Sequence, residues 1–75
     1  MVESPLVGVA YLSPSPEKPA FVSVGDTVKK GQTLLIVEAM KVMNEVPVPK
    51  DGVITEILVA NEEVVDYGKG LVRIK

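Results

Sequence analysis

The chain has neither cysteine nor histidine among its 75 residues. No disulfide can brace it, and the usual thiolate and imidazole zinc sites are unavailable. A Ser-His-Asp or Cys-His catalytic arrangement is likewise impossible. No glycine-rich phosphate loop of the Walker or dinucleotide type occurs. Basic residues form no cluster, and the formal charge is −2, which argues against a nucleic-acid partner. No apolar run approaches the ~18 residues of a membrane-spanning helix, and no signal peptide is visible, so a soluble, cytoplasmic protein without a membrane partner is expected. These absences describe a domain that is acted upon rather than one that catalyses. A single core of this size supplies only about 3–5 kcal/mol, so tight turns and densely packed Val, Ile and Leu must hold it.

What is present reads as strands and turns. Val2 to Pro5 is an extended lead-in, because Ser4 precedes Pro5. Val7 to Tyr11 reads as a strand whose Gly8 signals a bulge or a close backbone approach. Leu34 to Glu38 and Val42 to Val46 are short and β-branched, and the few residues between them make a hairpin. Pro47 and Pro49 confine the end of the second of these strands to a sheet edge or to its departure from the sheet. Lys50-Asp51-Gly52 reads as a turn in which Gly supplies positive φ. Val53 to Val59, Val64-Val65 and Leu71 to Ile74 complete the strands. Gly25-Asp26, Lys29 to Gln32, Ala60 to Glu62 and Asp66 to Gly70 are turns. Leu12 to Ala20 differs from everything else. Pro14, Pro16 and Pro19 remove three N–H donors, so the segment cannot join a central ladder. Tyr11 and Phe21 bracket it and can pin both ends, which makes it a shaped protrusion rather than a free linker.

An internal repeat underlies this order. Val28 to Val37 matches Val65 to Ile74 without a gap. Further back, Val22, Val24 and Asp26 pair with Ile57, Val59 and Asn61, and Gly8-Val9 pairs with Gly52-Val53. Gly8 to Val22 is 14 steps and Gly52 to Ile57 is 5, so the first half carries about nine extra residues (14 − 5), which the Pro-rich segment accounts for. Two similar strand sets related by an approximate two-fold bury one core between facing sheets. The fold expected is all-β: a flattened barrel or sandwich of two quasi-symmetric antiparallel halves. Lys41 follows the end of the first copy, and the equivalent place in the second lies just past the last residue. The two-fold then puts the lysine tip and the chain ends at opposite ends of the sandwich. Ile36 matches Arg73, so this position is expected to point outward. Leu35, Val37, Val72 and Ile74 are expected inside, with Val9, Val28, Ile57 and Val59.

Lys41 stands out from the other six lysines by position. It lies at a mid-chain hairpin tip between Met40 and Met43, flexible and polarizable contacts that suit several partners. Glu38-Ala39-Met40-Lys41 followed by Met43 resembles the biotin-attachment motif of biotinyl domains. Tyr11 to Phe21 resembles the thumb of the biotin carboxyl carrier proteins of bacterial-type acetyl-CoA carboxylase. The resemblance covers almost the whole chain, 1–75, with the thumb insertion at about 12–20. One departure is Val42, where the commonest family form has a second Met.

The resemblance implies a biotinyl/lipoyl-domain fold, a barrel-sandwich hybrid, and biotin covalently held on Lys41. It implies that Glu38, Ala39, Met40 and Met43 form the tip read by the biotin protein ligase, and that Ser13, Pro14, Ser15 and Pro16 touch the biotin. It further implies a non-catalytic carrier that takes carboxybiotin from a biotin carboxylase to a carboxyltransferase, for malonyl-CoA and fatty-acid synthesis. A preceding region and linker, with possible self-association, belong to the same resemblance. From the residues alone, Asn44 either caps the turn or meets a partner, and Glu45 is a solvated rim. Two other functions stay open: a lipoyl domain of a 2-oxoacid dehydrogenase, whose tip usually reads Asp-Lys-Ala, and a plain β-sandwich interaction module that presents its Pro-rich segment.

Overall fold

The alternation of apolar and polar residues, broken every few positions by Gly, Pro or Asp, gives short strands in the computed structural model, which describes residues 1–15 and 17–75. Eight strands follow one another: β1 (Val2–Glu3), β2 (Gly8–Tyr11), β3 (Thr27–Val28), β4 (Thr33–Ala39), β5 (Val42–Pro47), β6 (Gly52–Ile57), β7 (Glu63–Val65) and β8 (Gly70–Ile74). They form two four-stranded sheets, ordered β1-β8-β6-β3 and β5-β4-β2-β7. Every pairing between them is antiparallel. One core cluster joins the sheets, and the molecule is flattened, 30 × 28 × 19 Å. Pro47 and Pro49 fit the edge position of β5, where a missing N–H costs no ladder bond. Among the described residues, no helix is long and apolar enough to cross a membrane.

The two sheets are copies of one another. β5, β4, β2 and β7 match β1, β8, β6 and β3 in order. The short strand of each half is therefore exchanged: β3 joins the second half's sheet and β7 the first's. Hydrogen bonds fix the equivalence residue by residue. The N–H of Ser23 donates to Asp26 Oδ2 at 2.9 Å, and that of Ala60 to Glu63 Oε1 at 3.0 Å. Gly25 donates to Ile54 O at 2.7 Å and Glu62 to Ala10 O at 2.7 Å. Gly31 and Gly68, both with positive φ, donate to Val48 O and Ser4 O at 2.8 Å.

The gapless match thus extends back to Ser23 and Ala60. This corrects the expected pairing of Val22, Val24 and Asp26: their partners are Val59, Asn61 and Glu63, two residues further on. A slide of two leaves strand alternation unchanged, so the hydrophobic pattern does not detect it. Gly52 to Val59 is 7 steps, and the first half's surplus is seven residues (14 − 7), not nine.

Two glycines occupy equivalent close approaches. A Cβ on Gly8 would collide with the Glu38 carbonyl, and one on Gly52 would lie 2.6 Å from the Lys75 carbonyl oxygen. Gly52 is therefore a strand residue without positive φ, contrary to the turn role expected of it. It is glycine because two backbones meet there.

Val28, Leu35, Val37, Val59 and Val72 are buried in the core as expected. Val9, Ile57 and Ile74, also expected inside, are only half-buried. Leu34 and Leu71 were not expected there, yet both are buried. The register shifts at equivalent places: Thr33 pairs with Pro47 and Leu35 with Val46, while Gly70 pairs with Glu3 and Val72 with Val2. Leu34 and Leu71 are the extra residues of these two bulges, so consecutive side chains can point inward. Ile36 is 9% exposed, against the expectation of an outward, solvent-facing position. It lies outside the core cluster, on the opposite face of β4 from Val37. The face was read correctly, but this face is covered.

Candidate functional site

The hairpin β4–β5 closes over Met40 and Lys41, with Ala39 paired to Val42 and Glu38 to Met43. Both turn residues have positive φ, 53° and 65°. That is the mark of a two-residue type I′ turn, which follows strand twist but normally uses Asn-Gly. For side chains with a Cβ this backbone costs roughly 1–2 kcal/mol per residue, so the strands beneath must hold it. Lys41 is exposed and Met40 is 95% exposed. A long amine and a thioether thus stand clear of the body on a turn of fixed shape. Ala39 is half-buried below them. Asn44, left open above, has its side chain within the hairpin: Nδ2 donates to Val42 O at 3.0 Å and to Val37 O at 3.3 Å. Glu45 accepts a bond from Thr33 Oγ1 at 2.9 Å across the same pair of strands.

Pairing places Val9, Glu38 and Met43 in one row on the outer face of the β5-β4-β2-β7 sheet, with Tyr11, Ile36 and Glu45 in the next. The Pro-rich segment lies along this face. At its root, Leu12 N–H donates to Asn61 Oδ1 and Phe21 N–H to Leu12 O, each at 2.8 Å. Phe21 and Leu12 also pack on the core. Within the segment, Ser13 Oγ donates to Ser15 O at 3.0 Å, and Lys18 N–H to the same oxygen at 3.1 Å. The segment is a pinned protrusion, as the bracketing aromatics implied.

Between protrusion and sheet is a cavity of about 260 Å³ bounded by Ser13, Pro14, Ser15, Tyr11, Glu38, Met43, Asn61 and Glu62. This is slightly under the ~300–1,000 Å³ of a complete small-molecule site, a size for a head group rather than a whole ligand. The structure thus brings Ser13, Pro14 and Ser15 together with Glu38 and Met43. Ala39, Met40 and Lys41 stand beside this cavity rather than in its wall. Pro16 lies outside the described residues.

Asn61 and Glu62 of the second half were not anticipated. Glu62 has φ 67° where its equivalent, Gly25, has φ 95°. A non-glycine residue in that conformation is a signal that only the corrected alignment exposes. The neighbouring Glu63 carboxylate accepts the Ala60 N–H and lies 3.5 Å from Lys69 Nζ. The backbone bond first, and the lysine second, hold its pKa below the usual carboxylate value.

The family model described as "Biotin-requiring enzyme" (Biotin_lipoyl) matches residues 1–74. The biotin carboxyl carrier protein of acetyl-CoA carboxylase from Streptococcus pyogenes is 79% identical over 75 residues, covering 100% of this chain and 45% of that protein. The same-named protein of a Nostoc species is 50% identical over 74 residues, 99% of this chain and 41% of its own length. That of Haemophilus influenzae is 48% identical over 75 residues, 100% and 48%. The chain spans about half the length of the curated relatives it matches. With a hairpin tip, an exposed lysine and a match to the family model over residues 1–74, the chain belongs to the biotin/lipoyl attachment family, Biotin_lipoyl.

Proposed function

We propose that residues 1–75 form one biotin-bearing domain, with 12–20 as its thumb insertion, and that it serves as the carrier of an acetyl-CoA carboxylase. The observation that carries this reading is Lys41: exposed, at the apex of a left-handed two-residue turn, beside a cavity sized for a head group. The names of the curated relatives support biotin over lipoate as the group attached.

The residues fit such a group. The Lys41 amine attacks activated biotin as a nucleophile, and the ligase must take up the proton it sheds. The amide bond forms at Nζ and the adenylate leaves. The rigid turn presents that amine without the entropy of ordering a loop. Glu38, Ala39, Met40 and Met43 supply the surface the ligase reads. The charge of Lys41 is lost, and the formal charge of the chain moves from −2 to −3.

Attached biotin supplies a ring on which a carboxyl group rides. The domain itself catalyses neither transfer. It contributes tethering and effective concentration between a biotin carboxylase and a carboxyltransferase, for malonyl-CoA formation. Ser13, Pro14 and Ser15 offer hydroxyl and carbonyl groups over the cavity in which the ring can rest. Pro16 belongs to the same thumb. The cytoplasm is the compartment this reading calls for, and self-association through a preceding region belongs to it as well.

Intact mass after incubation with a biotin protein ligase, ATP and biotin tests the reading. One biotinyl increment on the wild type and none on Lys41→Arg is the expected result. No increment on either protein would turn attention to lipoylation.

A further inference from the structure

Two consecutive side-chain-bearing residues in the left-handed region do not stay there unaided. Ladder pairs beneath them contribute, but those nearest the apex, Ala39 with Val42 and Glu38 with Met43, are the first to fray. One side chain ties both strands together below them. Asn44 sits opposite Val37, and its single amide nitrogen donates one hydrogen to Val42 O on its own strand and the other to Val37 O across the hairpin. The chemistry is selective. Both partners are carbonyl oxygens, so the position needs two donors on one atom, which a primary amide has and a carboxylate lacks.

We infer that Asn44 is a positioning residue for modification: its two-donor clamp holds the Met40–Lys41 turn in the shape the ligase reads. This rests on the reading of Lys41 as the biotin acceptor. Asn44 does not touch the reacting atoms. It sets the fraction of molecules whose lysine is presented on a formed turn.

The discriminating series is Asn44→Asp and Asn44→Ala. Aspartate keeps the size and shape but sets a carboxylate against two carbonyl oxygens, whereas alanine only removes the clamp. Ligase kinetics on the two variants and the wild type would be read beside amide hydrogen exchange of 39–43. Loss of two neutral hydrogen bonds lowers modification kcat/KM about tenfold, and more for Asp than for Ala, mostly through KM. Exchange at Val42 should speed up while that of Val28 and Val65 stays as in the wild type. Overturning results are an Asp variant modified at the wild-type rate with unchanged exchange, or one less impaired than Ala, which would make Asn44 a space-filler. A wild type that takes no biotin would sink the Lys41 reading instead, and the exchange arm would still decide whether Asn44 holds the turn.

Discussion

Ile36 and Arg73 occupy equivalent positions in the two halves and meet opposite surroundings. Ile36 is buried on a sheet face along which the Pro-rich thumb lies. Arg73 stands on the bare face of the other sheet, 57% exposed in its side chain, with Nε 3.3 Å from Glu56 Oε1. The open groove on that side is bordered by Met1, Thr55, Arg73, Ile74 and Lys75. Thr55 and Lys75 are the counterparts of Tyr11 and Glu38, which border the thumb cavity. The same outer face is thus used twice, once roofed and once open. The tip and the chain ends are equivalent places as well. The fold is the symmetric part of the molecule, and the proposed function gathers where the symmetry is broken.

The largest test of that comparison is at the glycines. Gly8→Ala should cost about 3 kcal/mol, because its Cβ meets backbone in a central strand and neither strand can yield. Gly52→Ala should cost about half as much, since one of the two atoms nearest its Cβ is the end of the Ile74 side chain, which can shift. Chemical denaturation of both variants measures the difference, and equal costs would break the comparison. Next comes an exchange across the repeat. Ile36→Arg should lose about 2 kcal/mol by placing a charge at a buried position. Arg73→Ile should stay within about 0.5 kcal/mol, because an exposed ion pair is worth little.

Smaller again is removal of the seven surplus residues, 13–19. The fold should persist, with a loss of about 1 kcal/mol as the Tyr11, Glu38 and Met43 side chains bordering the cavity meet water. Amide exchange in β4 should rise near Ile36 and not at Val28. The smallest effect belongs to Glu63. Its folded pKa is lowered, so its contribution is present above the ordinary carboxylate pKa and is lost as pH falls through the folded value. The melting difference between wild type and Glu63→Gln should therefore shrink on acidification.

Much of this was legible in the sequence. The gapless match of Val28–Val37 with Val65–Ile74 gave the paired halves, and the prolines gave a segment unable to join a ladder. What escaped it depends on backbone geometry. Leu34 and Leu71 enter the core through bulges, and a bulge defeats alternation. Gly52 reads as a turn residue in the sequence, because a strand that needs glycine for a neighbouring carbonyl looks the same there as a turn. The repeat puts Ile36 on the right face, but its burial there comes from tertiary packing that alternation does not report. Asn61 and Glu62 border the cavity from the other half of the chain, a contact made by folding alone.

The most direct test of the central claim is a residue-by-residue location of biotin by fragmentation mass spectrometry of the ligase-treated domain. Seven lysines compete, among them Lys69 and Lys75 in the half without a tip. All of the increment on Lys41 is the result predicted. Biotin on Lys18, Lys29, Lys30, Lys50, Lys69 or Lys75 at a comparable level would contradict it, and would mean that the left-handed hairpin tip is not what selects the lysine.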